Sequence, residues 1–238
     1  MTHSKTSKPA RRHRFLTKLA SSLRKKREIM HAYLDSKRLS RSARKGKVLF
    51  VDAGSNIGQG FSWFSKFFSP SIYIYELFEP NQNCLPHLQK IAQEHPGTVT
   101  VHACGIGQQH GQARFYGVDE SEGGALSKGG STMPSHNSSV YERRTSTFIT
   151  VDLVDFDEYL RKKSNEFDKI VVKMDIEGAE RDLLEYLIDK GSHRLIDTLY
   201  VEFHCQHLQE DIRDKECRRE QLIMQRMRND KVRFRLWH

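Results

Sequence analysis

The chain has 238 residues, which is long enough for one α/β domain with an appendage, and its net charge is +9. The charge is uneven, because residues 1–47 hold 16 Lys/Arg against Glu28 and Asp35, giving +14. The remainder carries −5, which argues against an active site that is itself a nucleic-acid groove. We predict a basic N-terminal extension over 1–47, partly helical or disordered, and an enzyme domain over 48–238.

The basic extension has two open interpretations. It binds an anionic partner such as a membrane surface, RNA or an acidic protein, or it is a solvated extension. Apolar spacing over 15–23 and 29–34 is typical of helices that pack on the body. The first 27 residues contain Arg, Lys and Ser but no acid, as in organellar transit peptides. Because no apolar run approaches ~20 residues and no secretory signal is evident, a cytoplasmic location is the default expectation.

The four cysteines, Cys84, Cys104, Cys205 and Cys217, are scattered and form no C-x-x-C pair. This spacing predicts neither a disulfide framework nor a structural zinc site, and it favours a reducing compartment.

The predicted elements alternate between strands and helices from residue 48 onward. Strands are predicted at 48–52, 72–78, 98–103, 147–151, 169–174, 198–204 and 232–237, and helices at 61–68, 84–93, 153–163, 179–190 and 207–229. Residues 113–116 are predicted to form a hairpin strand with 98–103, and the Ser/Gly-rich segment 117–145 a lid or a disordered loop. Alternation of this kind predicts a doubly wound, mostly parallel sheet.

The first strand runs directly into a glycine-containing turn, Asp52-Ala-Gly54-Ser-Asn56-Ile-Gly58. Such a turn lies at the carboxyl edge of a parallel sheet and allows close approach of a ligand to the backbone. The spacing is neither G-x-G-x-x-G nor a P-loop, so a diphosphate cradle is not favoured. A zwitterionic nucleoside fits better, and we predict S-adenosylmethionine (SAM), with Asp52 meeting its amino group directly or through water.

Glu79 follows the second strand, and a carboxylate there can accept hydrogen bonds from both ribose hydroxyls of an adenosine ligand. The alternative is an ordinary acid at the start of a helix before Pro80. The upstream glycine turn favours the ribose role.

Four polar residues, Asp175, Glu177, Glu202 and His204, are predicted to meet at the ends of the neighbouring strands 169–174 and 198–204. His204 is the predicted general base, with Asp175 or Glu202 orienting it. In the variant interpretation, Asp175, Glu177 and Glu202 bind Mg²⁺, which would lower the pKa of the acceptor. The alternative is a purely structural role, in which Glu177 caps the following helix and Glu202 pairs with a lysine such as Lys173.

These motifs resemble the signature blocks of the FkbM-type methyltransferase family. The matching blocks are Asp52–Gly58, Phe78-Glu79-Pro80-Asn81, Lys173-Met-Asp175-Ile-Glu177-Gly-Ala-Glu180 and Val201-Glu202-Phe203-His204. The resemblance implies a Rossmann-like, class I SAM-dependent methyltransferase fold and O-methylation, often of sugar hydroxyls in glycans. It also implies that Asn81 and Ser139, the latter in a serine-rich segment, lie near the cofactor. The last antiparallel strand of that fold is not evident after residue 237.

Three other functions stay open at this point. A methyltransferase acting on nucleic acid or protein would use the basic extension to bind its substrate. An NAD-type oxidoreductase is disfavoured because Asn56 replaces the second fingerprint glycine. A non-catalytic adenosyl-binding protein is disfavoured by the intact acids and His204. The expected acceptor is a small molecule or a glycan.

Overall fold

The computed structural model describes residues 8–44, 47–117, 130–133, 148–208 and 210–237. Its helices are α1 (Lys8–Ser42), α2 (Gln59–Phe64), α3 (Leu85–Glu94), α4 (Phe156–Glu166), α5 (Glu180–Lys190) and α6 (Glu210–Asn229). Its strands are β1 (Val48–Ala53), β2 (Ile74–Phe78), β3 (Val99–His102), β4 (Gly105–Gly107), β5 (Gly111–Tyr116), β6 (Phe148–Asp155), β7 (Lys169–Met174), β8 (Thr198–Val201) and β9 (Arg233–Leu236). Within this described part, no helix is long and apolar enough to cross a bilayer.

Six strands form one sheet in the order β3-β2-β1-β7-β8-β9, and every pair in it is parallel. All six residues of β1 are buried, as expected of a strand covered by helices on both faces. The predicted Rossmann-like α/β fold is confirmed. Because the strands are parallel, the ends of β1, β2, β7 and β8 meet at one carboxyl edge, where such sheets bind ligands.

Alternate residues of each strand feed two cores. Leu49 and Val51 pack on one face with residues of α4, α5 and α6, whereas Val48 and Phe50 pack on the other with α1, α2 and α3. This division follows from the two-residue period of a strand.

The second sheet corrects the predicted hairpin. β5 pairs antiparallel with β6, not with β3, and β4 flanks β6 on its other side. The predicted helix start at residue 153 was also wrong, because β6 continues to Asp155. The Asp155 side chain then caps α4 by accepting hydrogen bonds from the amides of Asp157 and Glu158.

The C-terminal part of α1 packs on the six-stranded sheet and runs opposite to its strands. Near its C-terminus, Arg38 pairs with Asp197, which lies just before β8. Further toward the N-terminus, Asp35 is buried and accepts a hydrogen bond from Tyr200 at 3.0 Å. Earlier still, Ile29 reaches the pocket at the carboxyl edge. Within the predicted basic extension, Ala32 and Leu39 therefore share a core with the domain that follows.

Two features near α6 complete the frame. Cys205 and Cys217 form a disulfide that joins the turn after β8 to α6, which corrects the expectation of no disulfide. C-x-x-C spacing does not detect this pair, because the bridge depends on a helix returning over the sheet. Arg181 on α5 is buried, and it donates hydrogen bonds to Glu216 and Glu220 on α6 and to the Gly178 carbonyl.

Candidate active site

A pocket of about 540 Å³ opens at the carboxyl edge of the sheet. Its walls come from the ends of β1, β2 and β7, from α1 and α2, and from Gly130 and Thr132. A volume in this range suits a drug-sized or nucleoside ligand. The remainder of the predicted lid, including Ser139, lies outside the described residues.

Glu79 lines this pocket and is held in place by two backbone amides. Its Oε2 accepts from the Asn56 amide at 2.7 Å and its Oε1 from the Asn81 amide at 2.8 Å. Burial raises the pKa of Glu79 to about 7, although the two amides act in the opposite direction. Each carboxylate oxygen keeps a further lone pair, so Glu79 can still accept hydrogen bonds from the two hydroxyls of a ligand diol.

The glycines of the predicted turn have positive φ angles, but each one makes room for a different neighbour. Gly54 has φ +78°, and a Cβ there would lie 1.8 Å from the Asp175 carbonyl oxygen. Gly58 does not line the pocket, and its Cβ would meet Ile91 on α3 at 2.3 Å. Asn56 is left-handed at φ 46° and does line the pocket. Gly54 thus lets the ends of β1 and β7 approach, and Gly58 lets α3 approach the turn.

Asp52 lies below the pocket floor rather than in its wall. It is fully buried, and its Oδ1 is 3.1 Å from the Lys173 ammonium. Lys173 lines the pocket, donates to the Gly54 carbonyl at 2.7 Å and lies 3.5 Å from Asp175. Burial would lower the pKa of Lys173, but the two carboxylates raise it above its usual value. The pocket is thus lined by Lys173 and not by Asp52, which differs from the prediction that Asp52 contacts a ligand directly.

The turn after β7 presents two carboxylates to the pocket. Asp175 and Glu177 both line it, and Glu177 takes the unusual φ of 54°. The turn is fixed from below by Glu180, which is fully buried and accepts from the amides of Ile176 and Gly178. Glu180 is a residue that sequence reasoning assigned no role, because a second acid in a helix's first turn looks like an ordinary dipole partner.

His204 lies behind these carboxylates and is surrounded by them. Its Nδ1 is 3.1 Å from Glu180, and its Nε2 is 3.5 Å from Glu177 and 3.6 Å from Asp175. Burial would lower its pKa, but the bond to Glu180 and the three negative charges raise it to about 10. His204 is buried and does not line the pocket. It is therefore an imidazolium at neutral pH, which is the wrong protonation state for the predicted general base.

Glu202 completes the predicted cluster at the end of β8. It is half-buried, and burial together with the nearby Asp175 charge raises its pKa to about 7. It does not line the pocket. The structure thus brings the four predicted residues together but places only Asp175 and Glu177 in the pocket wall.

The predicted Mg²⁺ ligands do not converge as a set. Among the described residues at this edge, the group with ligand atoms within 4.8 Å of one another is Asp175, Glu180 and His204, rather than Asp175, Glu177 and Glu202. Both nitrogens of the His204 ring already face carboxylates, so the imidazolium supplies the positive charge there. Mg²⁺ prefers an all-oxygen octahedron, which this group does not offer.

Several residues of the pocket had no predicted role. Glu28 on α1 lines it, is buried, and has an Oε1 that accepts no hydrogen bond within the described residues. Trp63 and Trp237 also line it, with ring centroids 4.6 Å apart. No local sequence signal marks Glu28, because its burial depends on α1 folding back over the sheet.

Comparisons with known proteins give one family. A family model described as a methyltransferase FkbM domain matches residues 52–228, which is well over half of the chain. A solved structure described as methyltransferase FkbM from Methylobacillus flagellatus KT is similar at 18% identity, with a TM-score of 0.43. The match covers 80% of this chain and 38% of that one. A search of curated proteins finds no significant match.

Proposed function

We propose, from the premise that the chain belongs to the FkbM methyltransferase family, that it is a SAM-dependent O-methyltransferase acting on a sugar or glycan hydroxyl. One observation carries the proposal. A single pocket is lined both by the amide-held Glu79 and by the carboxylates Asp175 and Glu177.

The pocket residues fit an adenosyl ligand. Glu79 is fixed by two amides and can accept both ribose hydroxyls, while Asn56 and Asn81 flank it in the pocket wall. Lys173 lies at the pocket wall, where its positive charge is shared between Asp52 and Asp175. When bound, SAM would supply an electrophilic methyl group on its sulfonium.

Asp175 is the carboxylate best placed to take the proton of an acceptor hydroxyl. Its Oδ1 is buried and has no hydrogen-bond partner among the described residues, while the residue lines the pocket. A hydroxyl becomes strongly acidic as its oxygen bonds to the transferred methyl carbon, so a carboxylate in this position can receive the proton late in the transfer. Most of the rate then comes from positioning and from exclusion of water.

His204 and Lys173 position this carboxylate. His204 Nε2 lies 3.6 Å from Asp175 Oδ1, and Lys173 Nζ lies 3.5 Å from its Oδ2. Two cations on either side restrict the rotation of the Asp175 side chain. His204 is thus proposed as a positioning residue, and Glu202 as a further acid whose raised pKa limits the negative charge around Asp175.

A sugar or glycan acceptor is supported by the aromatic wall and by the family resemblance. Trp63 and Trp237 give the pocket two large rings, and the apolar face of a sugar ring packs well on such surfaces. The buried Glu28 carboxylate adds an acceptor for a donor group such as a hydroxyl.

The test is transfer of a labelled methyl group from SAM to a panel of glycosides, with Asp175→Asn and the exposed-site control Asp214→Asn. We expect transfer by the wild type and the control, and a loss on the order of 100-fold or more in Asp175→Asn, since general base catalysis contributes ~10²–10⁴-fold. S-adenosylhomocysteine should still bind Asp175→Asn. Unchanged turnover in that variant would refute the role of Asp175, and labelling of RNA or protein but no glycoside would refute the acceptor class.

A further inference from the structure

The outward face of α1 carries an apolar stripe. Leu23, Met30 and Leu34 are spaced by seven and four residues, so they lie on one side of the helix. Their exposed fractions are 59%, 53% and 53%. The opposite side of α1, with Ala32 and Leu39, is buried against the sheet. The stripe therefore belongs to a helix that is already packed and still presents large apolar side chains to solvent.

Cations flank the stripe. Lys26, Arg27, Lys37 and Arg41 are exposed, and helical spacing places them on the same outward side. Both acids of residues 1–47, Glu28 and Asp35, are instead on the buried side. The outward face of α1 over residues 21–42 is thus apolar and basic, without a carboxylate.

We propose that this face binds the surface of an anionic membrane. Half-exposed aliphatic side chains between Lys and Arg are typical of helices that lie in the headgroup region, where both kinds of residue are satisfied. RNA would satisfy the cations but would leave Leu23, Met30 and Leu34 without a function. A second copy of the chain would cover the stripe but would bring like charges together, because no carboxylate lies on that face.

The same helix contributes to the pocket. Lys25 and Ile29, one turn apart on α1, contribute to the pocket wall at the carboxyl edge of the sheet. A membrane-bound α1 would hold the pocket within about one helix diameter of the lipid surface, which suits a lipid-linked hydroxyl acceptor. This consequence rests on the proposed function, whereas the membrane contact does not.

The experiment is co-sedimentation of the full chain with vesicles of phosphatidylcholine alone or with added phosphatidylserine. We expect binding to the anionic vesicles only, weakening as salt is raised. Each Lys or Arg near an anionic surface strengthens binding about fivefold. The triple variant Lys26→Gln/Arg27→Gln/Lys37→Gln should therefore bind the vesicles on the order of 100-fold more weakly. The triple variant Leu23→Ser/Met30→Ser/Leu34→Ser should bind the vesicles at least ~10-fold more weakly, because aliphatic burial is removed while the charge is unchanged.

Matched controls are Leu222→Ser, which is 64% exposed on α6, and Lys66→Gln/Lys90→Gln/Lys162→Gln, which removes three exposed cations elsewhere. Both should bind vesicles like the wild type, and all variants should bind S-adenosylhomocysteine alike. The proposal is overturned if wild type ignores anionic vesicles or if the stripe variant binds them unchanged. A labelled RNA that binds more tightly than the vesicles, or a stripe variant that converts a dimer to a monomer, would also overturn it.

Discussion

Replacing Gly54 with Ala should be far more costly than its backbone conformation alone requires. The added Cβ would lie 1.8 Å from the Asp175 carbonyl oxygen, whereas real Cβ contacts stay above 3.0 Å. The ends of β1 and β7 would therefore have to separate by more than an ångström. A left-handed Ala costs ~1–2 kcal/mol, and forced overpacking adds ~1–3 kcal/mol, for a total of ~2–5 kcal/mol.

Gly97 is the matched control for this substitution. Its φ of +77° is nearly that of Gly54, but a Cβ there meets nothing within 4 Å. Gly97→Ala should cost only the ~1–2 kcal/mol of the left-handed conformation. The difference between the two variants isolates the clash with Asp175.

Urea unfolding of the two variants and the wild type measures the difference, with melting temperature as a second readout at ~2–4 °C per kcal/mol. Because the Gly54 carbonyl accepts from Lys173 at 2.7 Å, Gly54→Ala should also weaken S-adenosylhomocysteine binding. Gly97→Ala should not. Equal destabilisation of the two variants would refute the close approach of the β1 and β7 ends.

Three further predictions concern buried charge and the disulfide. The pKa of His204 is raised to about 10 from 6.5, so its stabilising contribution is complete below pH 6.5 and is lost as pH rises through about 10. Across that pH window the urea midpoint of the wild type should fall. His204→Gln should be less stable than the wild type at pH 6, and its urea midpoint should not show this fall. Plots of urea midpoint against pH that run parallel for the two proteins would contradict the assignment. Lys173→Met leaves the Asp52 charge buried and unpaired, so we expect a loss of ~3–5 kcal/mol by urea unfolding, and a loss below ~1 kcal/mol would argue against a buried ion pair. Reducing Cys205–Cys217, which are 12 residues apart, should cost about 3 kcal/mol, and dithiothreitol should lower the melting temperature of the wild type but not of Cys217→Ser.

The six-stranded sheet could be predicted because its signals are local. The continuous apolar run 48–51 ends on the polar Asp52, and the predicted span of β7 agrees with the observed one. The pairing of β5 could not be predicted in the same way. Its partner β6 lies beyond a long Ser/Gly-rich segment, and no local pattern chooses between β3 and a strand that distant.

The candidate site shows the same division between local and distant information. The acids at the strand ends are visible in sequence, because the end of each parallel strand points to one edge. The protonation of His204 depends on Glu180, which belongs to a different element and is recognised only once α5 is in place. The contribution of Glu28 to the pocket likewise depends on α1 folding back over the sheet.

Calorimetric titration of S-adenosylhomocysteine into the wild type, Glu79→Gln and the exposed-site control Glu94→Gln tests the central claim most directly. We predict binding to the wild type and control, and at least ~10-fold weaker binding to Glu79→Gln, because hydrogen bonds to a charged acceptor contribute ~1.5–3 kcal/mol. Folded wild-type protein that binds no S-adenosylhomocysteine, or a Glu79→Gln variant that binds it equally well, would contradict the assignment of this pocket as an adenosyl site.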